Sequence, residues 1–273
     1  MLQEAKTLIE KAWSDRRLLK NNDTIEAIRK IIGLLNNGDV RVAEPSCTGE
    51  WLVNEWIKKA VILYFPVQET QVYECGPFEY FDKIPLKKEI NKTGARVVPN
   101  AVVRFGAYID KDVVIMPSYT NIGAHVESGT LIDTFATVGS CAQIGKNVHL
   151  SYGAVIGGVL EPPQALPVII EDGCFIGSKT VINEGIHVEK ESIIAANTFI
   201  SQSAKIIDVT GKEPVEVKEV IPSRSIVTNG TTVRHFPAGK YKVPCALIIG
   251  KRKKSDDLKS SLKAALNEFN LVV

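Results

Sequence analysis

Residues 126–156 read VESGTLIDTFATVGSCAQIGKNVHLSYGAVI, and every sixth residue of this stretch is aliphatic. These positions are Val126, Ile132, Val138, Ile144, Leu150 and Ile156. After a slip of two residues the spacing resumes at Ile170, Ile176, Ile182, Val188, Ile194, Ile200 and Ile206. A period of six matches neither an α-helix nor a simple strand alternation. It is typical of hexapeptide-repeat β-helices, in which each repeat is one short strand and one turn.

Small or β-branched residues mostly stand two places before each aliphatic position, and glycine often follows it. Glycine follows at Gly139, Gly145, Gly157 and Gly177. We expect the small residues to let the chain turn each corner, and glycine to supply backbone freedom at the turn. Two or three amphipathic strands of a sandwich are the alternative, but they would not keep a period of six over thirteen positions.

The coil is predicted to begin near Arg96, where the period is less regular. Val102 and Val114 lie in phase with the later repeats, whereas Tyr108 and Thr120 interrupt the aliphatic pattern. We therefore expect the first coils to depart from the regular repeat.

The sequence predicts a mainly β protein in three parts. Residues 1–95 form an N-terminal α/β cap domain, residues 96–230 a parallel β-helix, and residues 231–273 a small C-terminal strand and helix segment. Breaks in the period, which contain proline or charged residues, predict inserts in the coil at 158–167 and 208–219.

Apolar stripes at helical spacing predict two helices within residues 1–38 and a further helix near 54–64. Asp23 or Thr24 is predicted to cap the second helix, and Gly38 to end it.

Composition limits the classes of partner. The chain has 33 basic and 31 acidic residues, so its charge favours neither nucleic acid nor an anionic membrane. Its five cysteines lack CxxC spacing, and the histidines and cysteines lack the spacing of a metal site. An odd number of cysteines without a leader peptide predicts a reducing cytoplasm.

The central sequence motifs resemble one acyltransferase family. These are LIDTFATVGSCAQIGKNVHLS at 131–151, GGVLEP at 157–162 and IIEDGCFIG at 169–177, with RVAE at 41–44 and FDKIP at 81–85. They are similar to tetrahydrodipicolinate N-succinyltransferases over nearly the full length of the chain.

The resemblance implies a homotrimer of left-handed parallel β-helices. It also implies transfer of succinyl from succinyl-CoA to the amino group of ring-opened tetrahydrodipicolinate, a step of diaminopimelate and lysine biosynthesis. Succinyl-CoA would be a co-substrate, and no tightly bound cofactor is expected.

Attack of an amine on a thioester requires removal of a proton, stabilisation of an oxyanion, and positioning of both reactants. Asp133 is the candidate carboxylate, because no turn rule demands Asp after an aliphatic coil position. The alternative is a turn residue that accepts a bond from its own backbone. The resemblance implies that Asp133 binds the acceptor and acts in catalysis.

The implied acceptor has two carboxylates, which arginine pairs with better than lysine because its fork binds both oxygens. Arg96, in GARVVP at 94–99, matches the acceptor-binding arginine of the family. A surface charge on the first coil is the alternative. Arg104 is a second candidate for carboxylate binding.

The chain departs from the family at Val181, where many relatives have a glutamate with an assigned catalytic role. A valine cannot move a proton. Glu184, three residues later, is the candidate replacement, and a simple turn residue is the alternative reading.

Other candidates have weaker sequence support. His149 and His125 fit the use of histidine as a base in hexapeptide acyltransferases, although the family does not assign His149 that role. The predicted CoA-binding residues are Gly158, Ser201 and Lys205. The basic run at 251–254 fits either CoA phosphates or the solvated start of a helix.

Two other functions remain open. One is a related hexapeptide acyltransferase that uses acetyl-CoA or another amino-acid acceptor. The other is a β-helical scaffold without catalysis, because solenoids make good binding surfaces. Asp133 and the inserts favour an enzyme, whereas Val181 favours a scaffold.

Overall fold

A computed structural model of the protein describes residues 2–252. The N-terminal domain has three helices: α1 (Leu2–Ser14), α2 (Asn22–Asn37) and α3 (Glu55–Val67). Short 3-10 helices span Arg16–Lys20 and Ile90–Lys92. Two antiparallel hairpins complete the domain, formed by β1 (Ala43–Pro45) with β2 (Trp51–Val53) and by β3 (Gln71–Cys75) with β4 (Phe78–Asp82).

The predicted cap of α2 is wrong by two residues for Asp23 and by three for Thr24. Asn21 is the N-cap, and its side chain accepts a hydrogen bond from the backbone N–H of Thr24. Asp23 and Thr24 already lie inside the helix, so neither has the extended backbone that a cap requires. Gly38 ends the helix in the left-handed conformation at φ 83°, as predicted.

Seventeen short strands in chain order form the regular coil. They are β5 (Arg96–Val97), β6 (Val102–Val103), β7 (Tyr108–Ile109), β8 (Val114–Ile115), β9 (Tyr119–Thr120), β10 (His125–Val126), β11 (Leu131–Ile132), β12 (Thr137–Val138), β13 (Gln143–Ile144), β14 (His149–Leu150), β15 (Val155–Ile156), β16 (Ile169–Ile170), β17 (Phe175–Ile176), β18 (Val181–Ile182), β19 (His187–Val188), β20 (Ile193–Ile194) and β21 (Phe199–Ile200).

Each strand from β5 to β18 pairs in parallel with the strand three places further along the chain, so three strands make one coil. Face 1 contains β5, β8, β11, β14, β17 and β20; face 2 contains β6, β9, β12, β15, β18 and β21; face 3 contains β7, β10, β13, β16 and β19. The predicted parallel β-helix is confirmed. We call the corners that join face 1 to face 2 the first edge, and those that join face 2 to face 3 the second edge.

The thirteen aliphatic positions that revealed the repeat are all buried and belong to one continuous core. Each turns its side chain into the shaft between the three faces. Burying this column of methyl-rich side chains removes them from water, which is the main favourable term in folding.

The first coils are more regular than predicted. The inward residues are Val103, Ile109 and Ile115, each buried, one place after the positions chosen from the sequence. The phase differs because the step from Ile115 to the next inward residue, Thr120, has five residues instead of six. Val102, Tyr108 and Val114 therefore point outward.

The glycines that follow the aliphatic positions serve a different purpose from the one predicted. Left-handed backbone occurs at the third residue after the aliphatic position, as at Gly129 and Asn147. Gly139 is required instead by close packing between coils, because a Cβ there would lie 2.2 Å from the backbone nitrogen of Gly158.

The last strands extend face 1 beyond the coil. They are β22 (Ile206–Asp208), β23 (Val215–Val217), β24 (Val220–Ile221), β25 (Ser225–Phe236) and β26 (Gly239–Lys251). Of these, β24 joins face 3, and the others continue the sheet of face 1 in the order β20, β25, β26, β22, β23. The predicted boundary at residue 230 falls inside β25.

The predicted terminal helix and residues 253 and 254 of the basic run lie outside the described residues. Between residues 2 and 252, no helix has both the length and the apolar character needed to span a membrane.

Candidate active site

Asp133 lies at the first edge, directly after β11. Its backbone N–H donates to Leu150 O at 2.9 Å, so the ladder between coils fixes its position. Its Oδ1 accepts from the N–H of Thr134 at 2.7 Å, which is the turn bond considered from the sequence. Within residues 2–252 the structure gives Oδ2 no hydrogen-bond partner. One carboxylate oxygen therefore orients the side chain, and the other remains available to a ligand.

His149 is the face 1 neighbour of this corner, because it pairs in register with Leu131. Burial lowers the pKa of His149, and the negative charge of Asp133 opposes that shift. The ring stacks edge-on against Phe175, with 5.0 Å between the ring centroids. The packing favours a neutral imidazole beside the carboxylate.

Arg96 stands exposed on face 1, in the first coil. It pairs in register with Val114, which in turn pairs with Leu131, two residues before Asp133. Two strand spacings separate Arg96 from Leu131, or about 10 Å. The fold thus places the predicted arginine and the predicted carboxylate on the same side of the coil.

Two exposed aromatic side chains flank Asp133 on the first edge. Phe135 is 66% exposed and stacks edge-on against Tyr152, with 5.9 Å between the ring centroids. Phe135 also has left-handed backbone at φ 60°, which is costly for a bulky side chain. Lys179 lies on the first edge one coil after Tyr152, and its backbone N–H donates to Tyr152 O. The sequence offered no signal that these three residues would adjoin.

Glu184 lies at the second edge, after β18, and not near Asp133. Its Oε2 accepts a hydrogen bond from the N–H of Ser203 at 3.1 Å. Ser203 Oγ is in turn 2.8 Å from Ser201 Oγ. These contacts join two of the predicted residues, Glu184 and Ser201, through successive corners of one edge.

The insert lies against this same edge at both of its ends. A Cβ on Gly158 would lie 2.7 Å from the backbone nitrogen of Ser140, and one on Gly185 would lie 2.5 Å from the carbonyl oxygen of Leu166. The chain therefore passes directly beside Glu184 where it re-enters the coil.

The other two predicted residues of the second edge already have ionic partners. Arg104 donates to Asp82 Oδ2 at 2.6 Å and to Asn121 Oδ1 at 3.2 Å, so its guanidinium fastens β4 to the first coil. Lys205 Nζ lies 2.6 Å from Glu216 Oε2 at a half-exposed position. A ligand would have to compete with these carboxylates.

Val181 points outward from face 2 between Val155 and Phe199, which pair with it in register. The outward column of this face consists of Val102, Tyr119, Thr137, Val155, Val181 and Phe199. Valine fits this column because its neighbours are largely apolar. The column contains no carboxylate, imidazole or amine side chain.

The N-terminal domain packs against face 3, and His125 of β10 lies on this face. The ring of His125 is buried, and burial lowers its pKa while a bond to Glu127 opposes that shift. Trp51 donates to Glu171 Oε1 at 3.1 Å on the same face. His125 therefore lies away from Asp133, on the face where Arg41 bonds to Glu127 and Gln143.

Comparison with known proteins identifies the family. The model described as "Tetrahydrodipicolinate N-succinyltransferase N-terminal" matches residues 4–67, and "Hexapeptide repeat of succinyl-transferase" matches residues 167–202. The second match agrees with the left-handed parallel β-helix expected from the sequence.

Three relatives match over nearly their whole length, and each is named 2,3,4,5-tetrahydropyridine-2,6-dicarboxylate N-succinyltransferase. The protein of Sodalis glossinidius is 45% identical, and the match covers 98% of both chains. Those of Polynucleobacter asymbioticus and Dechloromonas aromatica are 44% and 42% identical, each covering 98% of this chain and 99% of the relative. With identity at this level along the cap domain and the coil alike, the chain belongs to the 2,3,4,5-tetrahydropyridine-2,6-dicarboxylate N-succinyltransferase family.

Proposed function

We propose that the protein transfers the succinyl group of succinyl-CoA to the amino group of ring-opened tetrahydrodipicolinate, in diaminopimelate and lysine biosynthesis. The family supports the reaction, and the free carboxylate oxygen of Asp133 on the first edge is the observation that carries it. Succinyl-CoA serves as a co-substrate that is bound and released in each turnover.

In this reaction the amine attacks the thioester carbonyl, the carbon–sulfur bond breaks, and an amide forms. The ammonium must first lose a proton, because only the free amine has a lone pair. Asp133 is suited to orient the ammonium through Oδ2 and to accept that proton. As the amide forms the nitrogen loses a second proton. One of the two protons leaves on the thiol of CoA and the other passes to solvent, so the carboxylate is restored.

Arg96 is proposed to bind a carboxylate of the acceptor, because it is exposed on the side of the coil that carries Asp133. Arg104 is a poorer choice, because Asp82 already neutralises it. On the second edge, Glu184 is the proposed second carboxylate, and Gly158, Ser201 and Lys205 are the proposed contacts for CoA.

A homotrimer is proposed because one chain cannot bring the two sets of residues together. Asp133 lies on the first edge and Glu184 on the second, with the whole width of face 2 between them. The outward column of face 2 is largely apolar, with Phe199 43% exposed. In a closed ring, the first edge of one copy meets the second edge of the next, which completes a site at each junction.

A cytoplasmic location is proposed from the cysteines. All five are unpaired, and three of them are buried: Cys141, Cys174 and Cys245. A protein that keeps buried free thiols fits a reducing compartment.

Release of CoA thiol tests the function, with tetrahydrodipicolinate or 2-aminopimelate as acceptor and with succinyl-CoA or acetyl-CoA as donor. Succinyl-dependent turnover is the expected result. Turnover with acetyl-CoA alone would assign a sister acyltransferase. Absence of turnover with both donors would favour the scaffold, the reading that Val181 supports.

A further inference from the structure

Lys58 in α3 is fully buried, with no exposed surface at all. Burial of a lysine is rare because its charge loses the hydration that water provides. Burial also lowers the pKa of Lys58. A buried ammonium needs hydrogen-bond acceptors, and the position of these acceptors indicates what Lys58 does.

Both hydrogen bonds that Lys58 Nζ donates go to the insert at 158–167. The acceptors are Ala165 O at 2.7 Å and Pro162 O at 3.3 Å. No carboxylate pairs with this ammonium among the described residues. By contrast, the ammonium of Lys59, the next residue in α3, does pair with carboxylates. It forms salt bridges with Glu10 and Glu55 inside the N-terminal domain.

The insert satisfies little of its own backbone: among the described residues its internal backbone hydrogen bond runs from Ala165 N–H to Pro162 O at 3.0 Å. Three of its ten residues are proline, at Pro162, Pro163 and Pro167, so it has few N–H groups and forms no strand. The carbonyl group of Ala165, on a partly buried residue, therefore takes its donor from outside the insert. The ammonium of Lys58 supplies that donor from the N-terminal domain.

The segment that Lys58 holds continues directly into the second edge. Ala165 precedes Leu166, whose carbonyl oxygen lies against Gly185, the neighbour of Glu184. At its other end the insert is held by the bond from Val159 N–H to Ser140 O and by packing of Leu160 against the core of the N-terminal domain. Lys58 is thus the polar link between α3 and the part of the insert that adjoins the proposed site.

We propose that Lys58 is a positioning residue, which fixes the insert against the second edge and so shapes the binding site for the acyl-CoA donor. The second part of this proposal, the shaping of the acyl-CoA site, rests on the proposed function. Lys58 touches no substrate in this scheme and acts only through the carbonyl groups of Pro162 and Ala165.

The experiment compares Lys58→Met with Lys59→Met in the full-length protein. Methionine keeps a long, flexible, apolar chain but has no donor. Lys59→Met removes the adjacent lysine, which has no contact with the insert, and so serves as the matched control. Hydrogen exchange followed by mass spectrometry reports on the insert, and steady-state kinetics report on the site.

In Lys58→Met we expect faster exchange at the amides of residues 159–166 and an increase of about tenfold in KM for succinyl-CoA, with a smaller change in kcat. Lys59→Met should leave both unchanged. Lys58→Arg, which keeps a charged donor, should recover part of the lost affinity. A merely structural role would instead change stability without this separation of KM from kcat.

Unchanged exchange in the insert of Lys58→Met overturns the proposal, whether or not the wild type has succinyltransferase activity. Faster amide exchange in the insert with an unaltered KM for succinyl-CoA overturns the part of the proposal that concerns the acyl-CoA site. If Lys58→Met does not fold, Lys58→Leu also lacks a donor and is shorter, and the same two measurements on it decide the question.

Discussion

Arg41 and Glu127 form a salt bridge between the N-terminal domain and face 3, with 2.9 Å between Nη1 and Oε1. Nε of the same guanidinium donates to Gln143 Oε1 at 2.7 Å. Both side chains of the salt bridge are about four-fifths buried. Because these charges are largely removed from water, loss of either partner leaves the other poorly compensated.

Glu127→Gln should therefore destabilise the protein in a pH-dependent way. The pKa of Glu127 is lowered to about 2, chiefly by its hydrogen bond with His125 and further by Arg41, while burial opposes the shift. A carboxylate with a depressed folded pKa contributes stability above its unfolded value of about 4.3 and loses it as the pH falls towards 2.

We expect the variant to lose roughly 2 kcal/mol of unfolding free energy at pH 7. The difference from wild type should shrink steadily between pH 4.5 and pH 2. Urea unfolding across this range measures it. Glu89→Gln, at an exposed pair with Lys92, is the control and should change little. A difference independent of pH would contradict this account of Glu127.

Thr120→Val should stabilise the protein. Thr120 is the inward residue that follows the five-residue step, and its Oγ1 is buried without a hydrogen-bond partner among the described residues. Valine has the same shape without the unpaired hydroxyl, so we expect a gain of about 1 kcal/mol. The melting temperature should rise accordingly.

Thr130→Val is the matched control, because Thr130 Oγ1 donates to Gly145 O at 2.8 Å and accepts from Val148 N–H. This substitution should destabilise the protein by about 1 kcal/mol or more. The same sign of effect at both positions would contradict the difference in hydrogen bonding.

Asp133→Ala should abolish turnover and leave the oligomer intact. The side chain contributes one turn bond, so its loss changes the fold little, whereas the proposed base disappears. We expect kcat to fall by about a hundredfold or more. Light scattering and circular dichroism verify assembly and folding. Near-normal kcat in this variant would remove Asp133 from the mechanism.

Mixing two inactive variants tests the proposed shared site. Asp133→Ala impairs the first edge and Glu184→Ala impairs the second. After unfolding and refolding together in equal amounts, about a quarter of the junctions should combine two intact edges. Activity should recover to about that fraction of wild type.

Each variant refolded alone provides the baseline for this mixture. No recovery from two inactive variants would mean that each site belongs to one chain. Full activity of Glu184→Ala by itself would show that Glu184 is not the second carboxylate.

Phe135→Asn should leave stability unchanged or raise it, by up to about 1 kcal/mol, because asparagine tolerates left-handed backbone better than phenylalanine. The side chain is also largely exposed, so little apolar burial is lost. If Phe135 forms a wall of the site beside Asp133, KM should rise at the same time. Chemical denaturation and kinetics on one preparation measure both effects.

The sequence predicted the coil well because a buried shaft accepts only aliphatic side chains at its inward positions. It misplaced the first coils because both members of the pairs Val102–Val103 and Val114–Ile115 are aliphatic, so these two pairs fit either phase. At the pair Tyr108–Ile109 only the second residue is aliphatic, which favours the phase that the structure has. Only the pairing between coils shows that the step to Thr120 is one residue short.

The candidate site was less predictable, because its residues come together through contacts between distant parts of the chain. Asp133 and Arg96 could be assigned to the coil from their motifs. The pairing of Arg104 with Asp82 depends on how β4 docks against the first coil, which no local pattern encodes. In the sequence Lys58 resembles any solvated lysine of a helix, because its contacts with the insert join residues about a hundred positions apart.

At each end of the coil one face has its outer strand margin occupied, which bears on how copies can associate. At the beginning, Lys87 donates its backbone N–H to Val103 O and so occupies the free side of the first strand of face 2. At the end, the sheet of face 1 finishes in β23, a short antiparallel strand whose Glu216 carries a charge. An unpaired outer strand could pair with a strand of another molecule and permit growth into filaments. With these margins occupied, the proposed association of copies would use the flanks of the coil, as a closed ring requires.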